Sequence, residues 1–364
     1  MRVAVCGGGV VGAAIAFFLS RRGAAVTLIE CAAVACAASG KSGGFLALDW
    51  CDGSPLAALA RRSFALHADL ASELDGAARW GYRRLDTYAG FAGPRRRAVA
   101  GGSRPWLSSQ VTLTRRLGGP DTTAQIHPAL FTRTLAAEAE AAGAEIRIGR
   151  ITGLVRAGDR VSGVQVGGVT VPADAVVVAM GPWSVLAARW LPLPGVYGLK
   201  GHSLVFATGE RVPAESLFLD WRDDTGAWTP EVYPRPDGTT YVCAISSESP
   251  LPVDPSAVAP DPGAIPRLEA MCRALSPVLA DAEILAAQAC FRPVTRDGLP
   301  LIGAVPGVAG AYVATGHSVW GMLNAPATGE AMAELILDGA AAHVDLTPFD
   351  PARLPPFDPA RLRG

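Results

Sequence analysis

The sequence predicts an α/β protein built in two parts, and three observations predict it. Residues Val3 to Glu30 read as an apolar strand, a glycine-rich turn, a helix and a second strand ending in a carboxylate. Ala175 to Met180 and then Leu285 to Leu337 return to the same style of strand, glycine turn and helix. Between them, from about Leu193 to Leu285, prolines multiply and short strand-like segments such as Ser203–Ala207 and Thr240–Ser246 sit between turns. The first two observations predict a Rossmann-like nucleotide-binding domain of discontinuous segments. The third predicts a mixed-sheet α+β domain inserted into it.

In the opening unit, Val3, Ala4, Val5 and Cys6 form the strand, and Gly7, Gly9 and Gly12 supply G-x-G-x-x-G. Gly7 permits the tight turn, Gly9 lets the backbone approach a pyrophosphate, and Gly12 lets the helix pack close to the strand. Ala13 to Arg22 form the helix, whose N-terminus meets phosphate charge. Gly23 closes it, and Val26, Leu28 and Ile29 lead to Glu30, which is placed to accept hydrogen bonds from ribose hydroxyls. In a chain with 41 glycines the bare spacing would say little; strand, helix, strand and carboxylate in register make it specific.

Cys36 to Gly44 is a loop rich in Ala, Ser and Gly, and Pro55 to Leu74 predicts a helix. Tyr82 to Gly93 alternates like a strand, and Pro94 to Pro105, with Arg95, Arg96 and Arg97, reads as an exposed, mobile loop. Pro128 opens a helix that runs to Ala142 and stops at Gly143. Ala144–Val155, Arg160–Gly167 and Val169–Val171 read as short strands; Ala175–Met180 is wholly apolar and ends in Gly181-Pro182-Trp183-Ser184. These segments place a nucleotide-binding domain at 1–81, 126–192 and 286–345 and a substrate domain at 82–125 and 193–285. From Pro348 an eight-residue repeat, Pro-Phe-Asp-Pro-Ala-Arg-Leu-Pro, recurs from Pro356 without its last residue, which predicts an extended tail over 346–364.

Half of the 364 residues are hydrophobic and 18% are charged, as in a globular chain long enough for two cores. The net charge of −1 argues against nucleic acid or an anionic membrane surface as a partner. The seven cysteines are odd in number, scattered and without a C-x-x-C pair, which points to a reducing, cytoplasmic setting rather than a disulfide framework or a zinc site. The five histidines share no ligand spacing, so no metal site is expected. The apolar run Ala4–Leu19 contains the glycine loop, and Arg21 and Arg22 follow rather than precede it, unlike a signal peptide. No stretch is apolar for the ~20 residues a membrane span needs.

Three further segments bear on the cofactor: Ser39-Gly40-Lys41-Ser42-Gly43-Gly44-Phe45, Ala179 to Ser184, and Thr315-Gly316-His317-Ser318-Val319-Trp320-Gly321-Met322 leading into a helix. The first could hold a second phosphate and a ribityl chain. The last would present amide dipoles to a flavin's pyrimidine edge. Together with G-x-G-x-x-G, His127-Pro128 and Arg292-Pro293-x4-Gly298-x-Pro300-x-x-Gly303, these motifs resemble the FAD-dependent D-amino-acid oxidase superfamily, which includes glycine oxidase and monomeric sarcosine oxidase. The resemblance spans roughly residues 2 to 339. Residues 43–53, 231–238 and 316–329 look closer to a branch of FAD oxidoreductases without a defined reaction, whose yeast member is tied to membrane trafficking.

The resemblance implies FAD as cofactor, a Rossmann-like FAD-binding domain, and hydride transfer to flavin from the carbon beside the nitrogen of a small amine or amino acid. With the residue reading, it implies that Gly7, Gly9, Val10, Val11, Gly12, Glu30, Ser39, Lys41, Ser42, Gly44, Phe45, Ile151, Ala179, Gly181 and Trp183 bind the cofactor, along with Cys290, Gly316, His317, Ser318, Trp320, Gly321 and Met322. Arg292 matches the position that clamps the substrate carboxylate; the other reading is a structural arginine under the C-terminal sheet. Tyr233 and Arg235 match a region that contacts substrate, and Tyr233 could equally be an ordinary strand aromatic. His317 is expected to hydrogen-bond the flavin or to be a satisfied structural residue. Cys290 falls where sarcosine oxidase bonds its flavin covalently, or is a small buried thiol. The family's oxygen-activating lysine has no counterpart in Thr239–Ile245, so the electron acceptor is oxygen or an unknown one. Two rivals stand beside this reading: a regulatory or assembly protein that keeps FAD as a structural element, and an NAD-linked dehydrogenase.

Overall fold

The computed structural model describes residues 1–94 and 104–362. The arginine-rich loop read from the sequence therefore lies, over 95–103, outside the described residues.

The nucleotide-binding half is built on a six-stranded sheet in the order Leu301–Ala304, Ala311–Thr315, Ala175–Val178, Arg2–Cys6, Ala25–Glu30, Glu145–Ile148. All neighbours are parallel except the antiparallel edge pair Leu301–Ala304 and Ala311–Thr315. The period of two decides what each residue faces. Val3, Val5, Val26, Leu28 and Val177 point into a core shared with the helices Val10–Arg21 and Gly321–Asp338. Ala4, Cys6, Ile29, Val176 and Val178 point the other way, onto the three-stranded antiparallel meander of 151–172. Apolar strands buried on both faces are what this three-layer arrangement requires. The first helix begins at Val10, earlier than expected, and lies against the C-terminal helix so closely that a Cβ on Gly329 would sit 2.7 Å from the Ala14 carbonyl carbon. The helices expected at 55–74 and 128–142 are Ala57–Glu73 and Pro128–Ala141; His127 caps the second by accepting from Leu130 N–H.

The second half is an eight-stranded sheet in the order Ile284–Thr295, Val196–Ala207, Thr239–Ser247, Glu231–Pro234, Glu215–Asp223, Asp86–Ala92, Val111–Gly118, with Gly226–Trp228 paired to Glu215–Asp223. The strand Ile284–Thr295 runs antiparallel to Val196–Ala207 along its whole length. The boundary drawn at 285/286 therefore falls inside a strand of this sheet, and Cys290 and Arg292 belong to its wall. Thr123–Gln125 and Arg83–Arg84, placed by sequence in the substrate domain, lie instead in a small separate sheet, where Thr123–Gln125 pairs with Phe45–Ala47 on one side and Arg83–Arg84 on the other. The proline-rich middle also hides two helices, Ala264–Leu275 and Pro277–Asp281, which cover one face of the large sheet.

The tail is not extended. Its described part folds into 3-10 turns, each carrying an Asp that accepts from the N–H two residues on. The two copies of the repeat differ in setting: Phe349 is 1% exposed within the main core, whereas Phe357 sits half-buried against Gly195. Arg353 pairs with Asp297, and Phe357 N–H donates to Leu193 O. Phe349→Ala is expected to cost about 3–5 kcal/mol in denaturant unfolding, and Phe357→Ala well under that. Among the described residues no helix is long and apolar enough to cross a membrane.

Candidate active site

A deep cleft of about 2090 Å3, its open mouth included, runs between the two sheets. At one end lies the glycine turn. Gly7 adopts φ +119 and donates its N–H to Ile29 O; a Cβ there would stand 2.4 Å from Ala179 O. A Cβ on Gly12 would stand 1.9 Å from Gly7 O, so this glycine sets helix-to-strand packing and does not itself line the cleft. The helix beginning at Val10 has no side-chain cap on its N-cap Gly9 and no acidic residue in its first turn. Val10 N–H is met by Ser39 Oγ at 2.9 Å, and Val11 also lines the cleft. Glu30 is fixed by Gly8 N–H at 2.8 Å and Ala32 N–H at 3.0 Å, with Cys31 Sγ also donating to it. An uncapped helix N-terminus beside an immobilised carboxylate is the donor and acceptor set that a pyrophosphate and a ribose require.

Midway, the loop 39–45 crosses the cleft. Gly44, at φ +85, brings its backbone against Ile126 O, where a Cβ would come within 2.0 Å. Ser42 lines the cavity, and its hydroxyl is buried without a partner among the described residues. Lys41 does not line the cleft; its ammonium meets Ala289 O at 3.3 Å. Arg235 is not in the lining either. It is buried behind the loop, stacked on Tyr241 at 5.4 Å, and donates to Ser42 O at 3.0 Å. Ile151, Ala179, Gly181 and Trp183 complete this stretch, with the Trp183 indole donating to Pro252 O.

The C-terminal helix supplies a second uncapped N-terminus through Trp320, Gly321 and Met322. The turn ahead of it is strained: Gly316 has φ +82, and Ser318, a non-glycine residue, φ +51. Gly316 packs toward Thr295 and lies outside the lining. His317 lines the cleft with Nε2 on Thr328 Oγ1 at 3.1 Å, and burial pushes its pKa down to about 4, so the ring is neutral at physiological pH.

The far end is walled by the large sheet. Glu231 and Tyr233, Tyr241 and Cys243, Phe218, and Cys290 and Arg292 all face the cleft from different strands. Their odd-numbered or even-numbered neighbours, such as Val232, Val242, Leu217 and Leu219, face the helices behind. Arg292 lies over bare Gly201, whose missing Cβ would stand 3.2 Å from Nη2, and among the described residues its side chain makes one hydrogen bond, from Nη1 to Ser246 Oγ at 3.1 Å. Burial opposes its charge, yet nearby Cys243 and Glu231 hold its pKa above the usual range. Phe45, Trp50 and Phe218 close the wall, with Phe45 stacked on Tyr233 at 5.8 Å.

An elongated cleft with two helix N-termini, a glycine cradle and an orphan buried hydroxyl fits FAD. Comparison with known proteins bears out the cofactor. The profile of the DAO family, described as FAD dependent oxidoreductase, matches residues 2–335. The chain belongs to the DAO family of FAD-dependent oxidoreductases. Glycine oxidase of Geobacillus kaustophilus is 29% identical over 96% of both chains. A crystal structure of glycine oxidase from the same species superposes with a TM-score of 0.80 at 27% identity, covering 97% of this chain and 99% of that one. The candidate oxidoreductase C1F5.03c of Schizosaccharomyces pombe is 29% identical over 96% of this chain and 97% of its own.

FAD is therefore the cofactor of this DAO-family chain, and the NAD-linked alternative drops out. Sequence reasoning missed Glu231, Trp50, Phe218, Tyr241 and Cys243. For Glu231 a signal was present: in Glu-Val-Tyr-Pro it stands two residues before Tyr233, so a strand that turns Tyr233 to the cleft turns Glu231 there too.

Proposed function

We propose that this DAO-family protein oxidises the C–N bond of a small amine or amino acid to an imine that water hydrolyses. FAD supplies the two-electron acceptor. Arg292 clamps the substrate carboxylate: among the described residues its guanidinium is held by one hydrogen bond on the cleft wall, with most of its donors unused, and this observation carries the reading. The Phe45, Trp50, Phe218 and Tyr233 rings orient the substrate and exclude water from the reacting carbon. His317, neutral and tied to Thr328, acts as a fixed dipole rather than as a proton carrier. Glycine oxidase among the relatives supports an amine substrate. A guanidinium that faces the cleft with donors to spare favours this over a structural flavoprotein. Flavin bleaching by an amine or amino acid under argon tests it. The rate at which the reduced protein recovers its colour in air-saturated buffer tells oxygen from another acceptor.

On the cofactor side, Glu30 holds the adenosine ribose, and the helix N-terminus at Val10 and Val11, with Ser39 on the Val10 amide, meets the pyrophosphate. Glu30→Ala is expected to weaken FAD binding about 10- to 100-fold, as loss of a charged hydrogen-bonding group does, when apoprotein is titrated with FAD. The flavin is held without a covalent bond. Burial raises the Cys290 thiol above its ordinary range against the pull of Arg292 and Lys41, so little thiolate is present to form one. Acid precipitation should leave all the yellow colour in the supernatant; a yellow pellet that becomes colourless in Cys290→Ser would contradict this.

A further inference from the structure

The substrate wall carries two opposite charges that the protein does not pair with each other. Glu231 accepts at Oε2 from the Tyr233 hydroxyl at 2.7 Å and from Cys243 Sγ at 3.5 Å. Both donors are neutral, because burial holds the Tyr233 phenol and the Cys243 thiol well above their ordinary ranges. Among the described residues no cationic side chain stands within ion-pair distance of Glu231, and its Oε1 receives no donor from the protein. Arg292, within electrostatic reach, spends one donor on Ser246 and directs none to Glu231. Around them the wall is aromatic: Phe218 lies 5.7 Å from Tyr233 and 4.7 Å from Trp50. Glu231 is half-buried on the cleft wall, so its second oxygen is open to a ligand that enters, and the ring faces around it favour a cation there.

We propose that Glu231 binds the substrate ammonium and determines specificity: with Arg292 on the carboxylate, the site selects a small amino acid bound as its zwitterion. This rests on the amine reading of the site. A carboxylic acid lacking the amine meets Arg292 but leaves Glu231 unpaired and repelled. An amine lacking the carboxylate leaves Arg292 unpaired.

The test is calorimetric titration of the holoenzyme under argon with its flavin reduced beforehand by dithionite, so that binding is read without turnover. The probes are glycine, alanine and proline against acetate, propionate and cyclopentanecarboxylate, their counterparts without the amine. In the wild type at least one amino acid should bind tenfold or more tighter than its counterpart. Glu231→Gln should weaken that amino acid about 10- to 100-fold and leave the counterpart unchanged or several-fold tighter. Glu231→Asp, which keeps the charge, should preserve the order of preference, and decides the matter with the wild-type ratio if Glu231→Gln fails to retain flavin. Equal binding of amino acid and counterpart by the wild type, or equal weakening of both in Glu231→Gln, would overturn the proposal. Binding of neither class by the wild type would overturn the Arg292 clamp with it. The expected reversal without flavin bleaching of the oxidised holoenzyme by any amino acid would leave Glu231 in this role and remove the oxidation reading instead.

Discussion

Gly12→Ala and Gly7→Ala are each expected to give a protein that purifies without FAD and unfolds earlier. At position 12 the added Cβ meets the Gly7 carbonyl oxygen at 1.9 Å, a backbone atom that cannot rotate away. The first helix must then lift from the strand that leads into it, and its N-terminal amides leave the place where they meet phosphate. At position 7 the Cβ meets Ala179 O at 2.4 Å, and the residue would also have to hold φ +119, which L side chains rarely adopt. Overpacking of about 1–3 kcal/mol and backbone strain of similar size act together at Gly7, so about 2–6 kcal/mol of stability should be lost. The flavin-to-protein absorbance ratio and the denaturant midpoint measure both effects. Gly143→Ala is the control for backbone strain alone, since that glycine also has positive φ but no atom near its missing Cβ; it should keep its flavin.

Arg292→Leu should retain FAD and lose at least about thirtyfold in kcat/KM toward an amino acid. Removing a guanidinium that pairs with a desolvated carboxylate costs about 2–5 kcal/mol. The loss should spare substrates that have no carboxylate. An unchanged kcat/KM with a flavin spectrum like the wild type would show that Arg292 is a structural arginine, the alternative its sequence context left open. The strand position makes the contrast clean: Arg292 touches Ser246 and the cleft, so its removal leaves the core behind the sheet intact.

The nucleotide-binding half was legible because its signals are local. The glycines, the first helix and Glu30 lie within thirty residues, and each is dictated by a close approach or a turn that only one residue type allows. The substrate wall was only partly legible, because it is assembled by pairing between distant segments. Tyr233 and Arg292 could be picked out from motifs, but Phe218 and Trp50 reach the wall through contacts that no spacing announces. The strand Ile284–Thr295 was assigned to the wrong half because its alternation looks the same in either sheet; pairing with Val196–Ala207 decides it. Helix Ala264–Leu275 was hidden by its prolines. Pro266 sits in the first turn, where a missing N–H costs little, and Leu268, Met271, Cys272 and Leu275 carry the buried face. Arg235 was grouped with Tyr233 by adjacency, but the strand ends at Pro234 and the chain turns, sending the guanidinium to Ser42 O. The tail repeat looked like one element used twice, whereas Phe349 is core and Phe357 is not.

The measurement that tests the account most directly is the visible flavin spectrum of the purified protein, followed under argon as small amino acids and amines are added in turn. The expected result is a yellow protein whose flavin band bleaches with at least one small amino acid, and fails to bleach with the same compound in Arg292→Leu. A flavin band that persists through every amine and amino acid, in a protein that dithionite still reduces, would contradict amine oxidation and favour a flavoprotein that keeps FAD for its structure.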